Sequence, residues 1–267
     1  MPELPEMENY RQLLEQKLKN RWITHVEINR EKSINVAPEI FSKLVLQSKV
    51  VHIERRAKHL LFHLNNNHVL LLHLMLGGWM FFGREEEKPD RTIQVRLSFG
   101  QHHLYFIGLR LGYLHLLTNS EADKELSDLG PEPLTDAFTF SLFQKLIENR
   151  RGRLKTKLVD QSFLSGIGNC YSDEICYLAK LLPTRDLKDL NLNQTSELYH
   201  SIRFVLTDAL RQGGYMDQPL FKGDGGTGHF QSKVYDREGG TCGRCGSIII
   251  KEMISSRKTF FCRGCQK

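Results

Sequence analysis

The sequence predicts a multidomain α+β protein: an N-terminal helix with a β-sandwich, a helical middle and a four-cysteine hairpin at the end. Three observations carry this. From Ile23 to about Leu117 the apolar runs are short, alternating or fully apolar, and separated by turn residues. Beyond Leu129-Gly130-Pro131-Glu132-Pro133-Leu134 the periodicity becomes helical. Four of the six cysteines form two Cys-x-x-Cys pairs, Cys242/Cys245 and Cys262/Cys265, sixteen residues apart.

In chain order, Met7, Tyr10, Leu13, Leu14 and Leu18 recur at helical spacing, which predicts an amphipathic helix over residues 3–19. Strands follow in Thr24–Ile28, Leu60–Leu64, Ile93–Leu97 and Leu114–Leu117, with turns at Asn65-Asn66-Asn67 and Lys88-Pro89-Asp90. A two-layer sandwich with the first helix packed on it accounts for these. Helices are expected over Phe138–Arg150, Arg153–Phe163, Tyr171–Leu181 and Thr195–Gln212. Ser165-Gly166-Ile167-Gly168-Asn169 reads either as a plain helix connection or as a turn whose backbone amides and helix start suit a phosphate. The polar, glycine-rich stretch from Gly213 to Gly228 reads as a mobile loop. Domain boundaries are expected at 1–130, 131–228 and 229–267.

The balance of 37 basic against 31 acidic residues gives a net charge of +6, which suits a polyanion. Basic residues cluster at Arg55-Arg56-Ala57-Lys58, over 149–157 from Asn149 to Lys157, and around the last cysteines. No export leader and no membrane-spanning run is evident, so a cytoplasmic or nucleoid location is expected. In such a reducing setting the paired cysteines read as a closed, structural tetrathiolate zinc site, with Cys170 and Cys176 left as free thiols.

The first six residues, Met1-Pro2-Glu3-Leu4-Pro5-Glu6, admit an ordinary reading and a chemical one. Removal of Met1 would make Pro2 a terminal secondary amine, able to attack a sugar C1′ and form an iminium without further protonation. A free α-amino group loses its proton near pH ~8 and lysine only near ~10.4, so few groups offer this near neutrality.

Together these features resemble the formamidopyrimidine-DNA glycosylase/endonuclease VIII family of base-excision repair enzymes. The resemblance rests on Pro2–Glu6, Arg55–Lys58, Gly166–Tyr171, Phe230-Gln231, Val234–Gly239 and the finger ending Cys262-Arg263-Gly264-Cys265-Gln266. It implies a sandwich, a helix–two-turn–helix domain, a zinc finger and damaged double-stranded DNA in the cleft between them, bound by a monomer. By position it makes Pro2 the Schiff-base nucleophile and Glu3 the general acid/base, with Glu6 orienting the N-terminus. Lys58 would meet the phosphate beside the lesion and assist catalysis. Asn169 and Arg257 would grip phosphates, and Tyr171 and Lys155 would line the DNA-facing surface. The implied reaction is base flipping, glycosidic cleavage, β-elimination and a possible δ-elimination.

The sequence departs from the pattern at two places. Met75 matches a residue that fills the gap left by the flipped nucleotide, but the second void-filling turn reads Leu109-Arg110-Leu111-Gly112. Leu109 stands where the family has a base-reading arginine, and Leu111 where it has a phenylalanine wedge; Arg110 would substitute only if the turn re-registers. Second, Tyr215, Met216 and Phe221 give the recognition loop an apolar stacking character. A substrate other than 8-oxoguanine opposite cytosine is therefore expected, with weak opposite-base preference. Competing readings are a non-catalytic damage sensor of the same fold and a zinc-ribbon nucleic-acid adaptor.

Overall fold

A computed structural model describes residues 1–148 and 150–267. Asn149, which opens the basic stretch 149–157, lies outside the described residues. The chain divides into two compact units, Met1–Ser127 with Gln212–His229, and Asp128–Arg211 with Phe230–Lys267.

The first unit opens with helix α1 (Leu4–Leu18), which has Pro5 in its first turn and buries Leu4, Met7, Tyr10, Leu14 and Leu18. Strands β1 (His25–Ile28), β2 (Val50–Arg56), β3 (His59–Leu64), β4 (His68–His73), β5 (Trp79–Gly83), β6 (Ile93–Phe99), β7 (His102–Ile107) and β8 (Tyr113–Thr118) follow. They form two four-stranded sheets, ordered β1-β6-β7-β5 and β2-β3-β4-β8. Side chains at alternate positions, such as Leu60, Phe62, Leu70 and Leu72 from one sheet and Val95, Leu97, Leu104 and Phe106 from the other, meet in a shared core. That is the expected sandwich.

Two helices inside this region escape the sequence reading. Helix α2 (Pro38–Val45) starts with proline at its first position and buries only Phe41 and Val45. Helix α3 (Asn119–Glu125) is capped by Thr118, whose side chain accepts the Glu121 amide. It covers the outer face of the second sheet, where Ala122 packs with Leu61, Val69 and Leu71.

Residues 213–228, expected with the helical domain and expected to be mobile, instead pack on the sandwich through many ties. Leu220 is fully buried in the sandwich core. Tyr10 Oη donates to the Gln218 carbonyl at 2.8 Å, Trp79 Nε1 to that of Pro219 at 3.1 Å, and the Phe82 amide to that of Leu220 at 2.6 Å. The Asp224 carboxylate accepts from the Leu220 amide and the Thr227 hydroxyl. The polar composition hides the buried apolar and aromatic anchors that seat this segment on the sandwich.

The second unit holds helices α4 (Phe140–Glu148), α5 (Leu154–Leu158), α6 (Asn169–Leu178) and α7 (Leu192–Arg211), then the hairpin strands β9 (Ile250–Ile254) and β10 (Arg257–Phe261). Helix α5 is shorter than the expected 153–163 because the chain turns at Asp160, whose Oδ1 accepts from the Ser162 amide and hydroxyl. Helix α6 starts at Asn169 with Gly168 as its cap, earlier than the expected Tyr171.

Candidate functional site

In the first unit the chain enters α1 through Pro2, which is buried, and Glu3, which is 2% exposed. Glu6 fixes this entry. One of its oxygens accepts the Glu3 amide at 2.8 Å and the other accepts the Tyr215 amide at 2.9 Å. Gly214 has φ +79°, and a Cβ there would lie 2.3 Å from Glu6 Oε1, so only glycine lets the two segments meet. Glu6 therefore orients the N-terminus, and it also ties the terminus to the 213–228 wall. Tyr215 Oη donates to the Met1 carbonyl at 3.4 Å. Tyr215 and Met216 are half-buried, whereas the Phe221 ring has the Lys17 ammonium 3.7 Å from its centroid, so that it is not open for stacking.

Lys58 sits in the two-residue turn joining β2 to β3, where Arg56 pairs with His59. It is 6% exposed. The preceding Ala57 has φ +53°, an uncommon conformation for a side-chain-bearing residue. Beyond the turn, His59 and His73 lie across from each other on β3 and β4 with ring centroids 4.2 Å apart, and the Tyr113 hydroxyl is 3.3 Å from His59 Nε2. Burial pushes His59 down to about 4 and His73 to about 3, helped by the Lys58 charge. Both rings are neutral near pH 7.

The two turns expected to fill a DNA void lie against each other. Gly108, at φ +71°, has no room for a Cβ, which would fall 2.0 Å from the Gly77 carbonyl oxygen. The outward residues differ from the expected ones. Leu109 is fully buried, its amide donating to Gln94 Oε1 and its carbonyl accepting from Ser33 Oγ, so it belongs to the sandwich core and cannot face DNA. Arg110 is exposed and Leu111 is 62% exposed. On the other turn Met75 is half-buried at φ +51°, and it is Leu76, 67% exposed, that projects. Arg110 lines a groove of about 640 Å³ with Asp90, Arg91 and Gln94.

In the second unit two expected DNA contacts prove to be interior. Lys155 is fully buried, with Nζ 2.6 Å from Asp173 Oδ1, 2.9 Å from Ser172 Oγ and 2.9 Å from the Asn169 carbonyl. Tyr171 is fully buried against Phe230. The basic run and the motif match suggested a surface for both; the Asp173 carboxylate, brought beside Lys155 from helix α6, decides the first. Asn169 is exposed as the first residue of α6, and Arg257 is half-exposed beside the hairpin tip Ser255-Ser256.

Sequence reasoning missed Asp173 and Glu174, which carry this arrangement. Asp173 Oδ2 accepts the Phe260 amide of β10 at 2.9 Å, and Glu174 accepts three backbone amides, from Lys233, Val234 and Tyr235. Burial raises both carboxyls, Asp173 to about 7, while Lys155 and these amides pull the other way. The available signal was an Asp-Glu pair within a helix that is apolar on every side.

The four cysteines Cys242, Cys245, Cys262 and Cys265 converge, with all sulfurs within 4.8 Å of one another. A tetrahedral thiolate site with metal–sulfur bonds of about 2.3 Å has edges of about 3.8 Å. The Cys242–Cys265 and Cys245–Cys262 separations are 3.8 and 3.4 Å, so the set could hold a metal ion. The Arg244 amide and guanidinium donate to Cys242 and Cys265.

The profile of the formamidopyrimidine-DNA glycosylase N-terminal domain matches residues 1–113, and that of the formamidopyrimidine-DNA glycosylase H2TH domain matches residues 129–218. The formamidopyrimidine-DNA glycosylase of Pelotomaculum thermopropionicum is 34% identical, covering 100% of this chain and 99% of its own. The chain belongs to the formamidopyrimidine-DNA glycosylase family. That of Heliobacterium modesticaldum is 35% identical over the full length of both. A solved complex of the Lactococcus lactis enzyme with DNA containing an abasic site superposes with a TM-score of 0.92 at 28% identity, covering 99% of each chain. A mutant of that enzyme with Fapy-dG-containing DNA gives the same score. No described helix is long and apolar enough to cross a membrane.

Proposed function

We propose that this protein is a DNA glycosylase and abasic-site lyase of base-excision repair. The observation that carries the reading is the buried Pro2-Glu3 entry to α1, held by the Glu6 carboxylate. Released from Met1, the Pro2 nitrogen attacks C1′ of the damaged nucleotide. Glu3 supplies a proton to the opening sugar ring as the base departs. The resulting iminium acidifies the C2′ proton, whose removal expels the 3′-phosphate. Lys58 is assigned to the phosphate beside the lesion, and Asn169 and Arg257 to phosphates of the backbone.

Leu76 and Leu111 act as apolar wedges between bases, and Arg110 is the donor on these turns for the edge of the unpaired base. That assignment moves base reading from position 109 to 110. Tyr215 and Met216 offer stacking and shape in place of hydroxyl donors, which favours an oxidised pyrimidine or a ring-opened purine over 8-oxoguanine opposite cytosine. The four thiolates are assigned to one structural zinc ion, since a closed tetrathiolate leaves no open coordination position.

Borohydride trapping on abasic DNA tests the reaction: a covalent adduct on the terminal peptide that disappears in Pro2→Gly is expected. A wild-type protein that binds this DNA without trapping would instead be a sensor. Duplexes carrying each lesion opposite all four bases test the substrate, and a strong 8-oxoguanine:C preference would reverse that part.

A further inference from the structure

Helix α1, which begins at the nucleophile, and the hairpin turn carrying Lys58 are separate elements, yet a lyase needs them in one fixed relation. A misplacement of about 1 Å in such a constellation costs on the order of a hundredfold in rate. Two carboxylates of α1 reach strand β2. Glu15 Oε2 accepts the Ile53 amide at 2.7 Å, which docks the middle of the helix on the middle of the strand. Glu8, nearer the nucleophile, behaves differently.

Glu8 Oε2 accepts from Arg55 Nε at 2.9 Å, and its other oxygen accepts from Arg11 Nε at 2.8 Å. The Arg55 and Glu8 side chains are 9% and 15% exposed, so the pair is largely shielded from water. Arg55 then uses a second nitrogen: Nη1 donates to the Ala57 carbonyl at 3.3 Å. Ala57 is the residue with φ +53° in the turn that presents Lys58. A left-handed conformation in a residue other than glycine is strained and persists where surroundings hold it. The planar guanidinium can bind the carboxylate through one edge and the turn carbonyl through another; an ammonium on a flexible stem has no such fork.

We propose that Glu8 and Arg55 are positioning residues that lock the Lys58 turn to the first turns of α1, setting the lysine against the nucleophile. The inference rests on the lyase reading above for its consequence, though not for its geometry.

The test uses the full-length protein with Met1 removed, and compares Arg55→Lys, Glu8→Gln, the exchange Glu8→Arg with Arg55→Glu, and Glu15→Gln. Single-turnover cleavage of abasic duplex, duplex affinity, thermal stability and amide hydrogen exchange at 57–59 are read for each. Arg55→Lys and Glu8→Gln should slow cleavage by about ten- to a hundredfold with little change in affinity, and exchange at 57–59 should quicken. The exchanged pair should regain thermal stability but not rate, because a glutamate at 55 cannot donate to the Ala57 carbonyl. Glu15→Gln should lose stability and keep its rate. Unchanged exchange at 57–59 in Arg55→Lys overturns the proposal. So does full recovery of rate in the exchanged pair, since a plain docking ion pair would then suffice. Failure of the wild type to trap on abasic DNA sinks the lyase reading separately, and the exchange measurement still decides the placement.

Discussion

The two units use shielded carboxylates in contrasting ways. In the first, Glu6 and Glu8 sit in the opening turns of α1 and tie the N-terminal entry to neighbouring segments of a sandwich already held by its apolar core. In the second, Asp173 and Glu174 lie in the interior and hold the hairpin and its preceding loop by backbone amides, with Lys155 as the internal cation. The first arrangement positions the N-terminal entry, where the proposed nucleophile lies; the second holds together the element that bears Arg257. Substitutions in the first should therefore alter rate, and in the second stability.

The sharpest break of this comparison is Lys155→Met. It strands a buried Asp173 carboxylate and should cost about 3–5 kcal/mol in urea unfolding. Pairing it with Asp173→Leu should recover part of that loss, short of the amide bond to Phe260. A Lys155→Met protein of normal stability and weak DNA binding would instead return this lysine to the DNA surface. Leu109→Ala comes next, with an expected loss of about 2–5 kcal/mol from the sandwich core, whereas Leu111→Ala should stay within about 0.5 kcal/mol and weaken binding to abasic duplex.

The pH dependence is smaller. His59 and His73 titrate in the folded protein at about 4 and about 3, below the ordinary 6.5, because burial disfavours their charged forms. Below pH 6.5 the unfolded chain therefore takes up protons that the folded chain refuses. Their contribution is complete above that pH and is lost as the pH falls toward 4 for His59 and toward 3 for His73. Melting temperature should decline over this window, and less steeply in His59→Gln/His73→Gln; parallel declines would remove these rings as the cause. The smallest effect is expected for Asn169→Ala, which should weaken duplex binding slightly and leave its salt slope unchanged, because an uncharged amide releases no counterion.

Much of this was legible in the sequence, for reasons that differ by element. Strand periodicity, the proline–glycine break near residue 130 and the Cys-x-x-Cys spacing report local chain physics, so the sandwich, the helical region and the cysteine cluster were readable. Direction was not. Leu109, Arg110 and Leu111 alternate on a turn whose facing is set by a Gln94 bond and a glycine contact remote in sequence. Met75 and Leu76 are adjacent apolar residues, and the pattern does not say that the chain turns at Met75, with φ +51°, and leaves Leu76 projecting. Lys155 belongs to a basic run that looks solvated until Asp173 is brought beside it by folding.

The single carboxylate of Glu6, shared between the Glu3 and Tyr215 amides, separates what can vary from what cannot. Side chains at 215 and 216 can be exchanged while the same two main-chain bonds keep the N-terminal entry where it was. Replacement of Gly214 would break that independence, because one Cβ would press on the Glu6 carboxylate and displace the 213–228 segment and the N-terminal entry together.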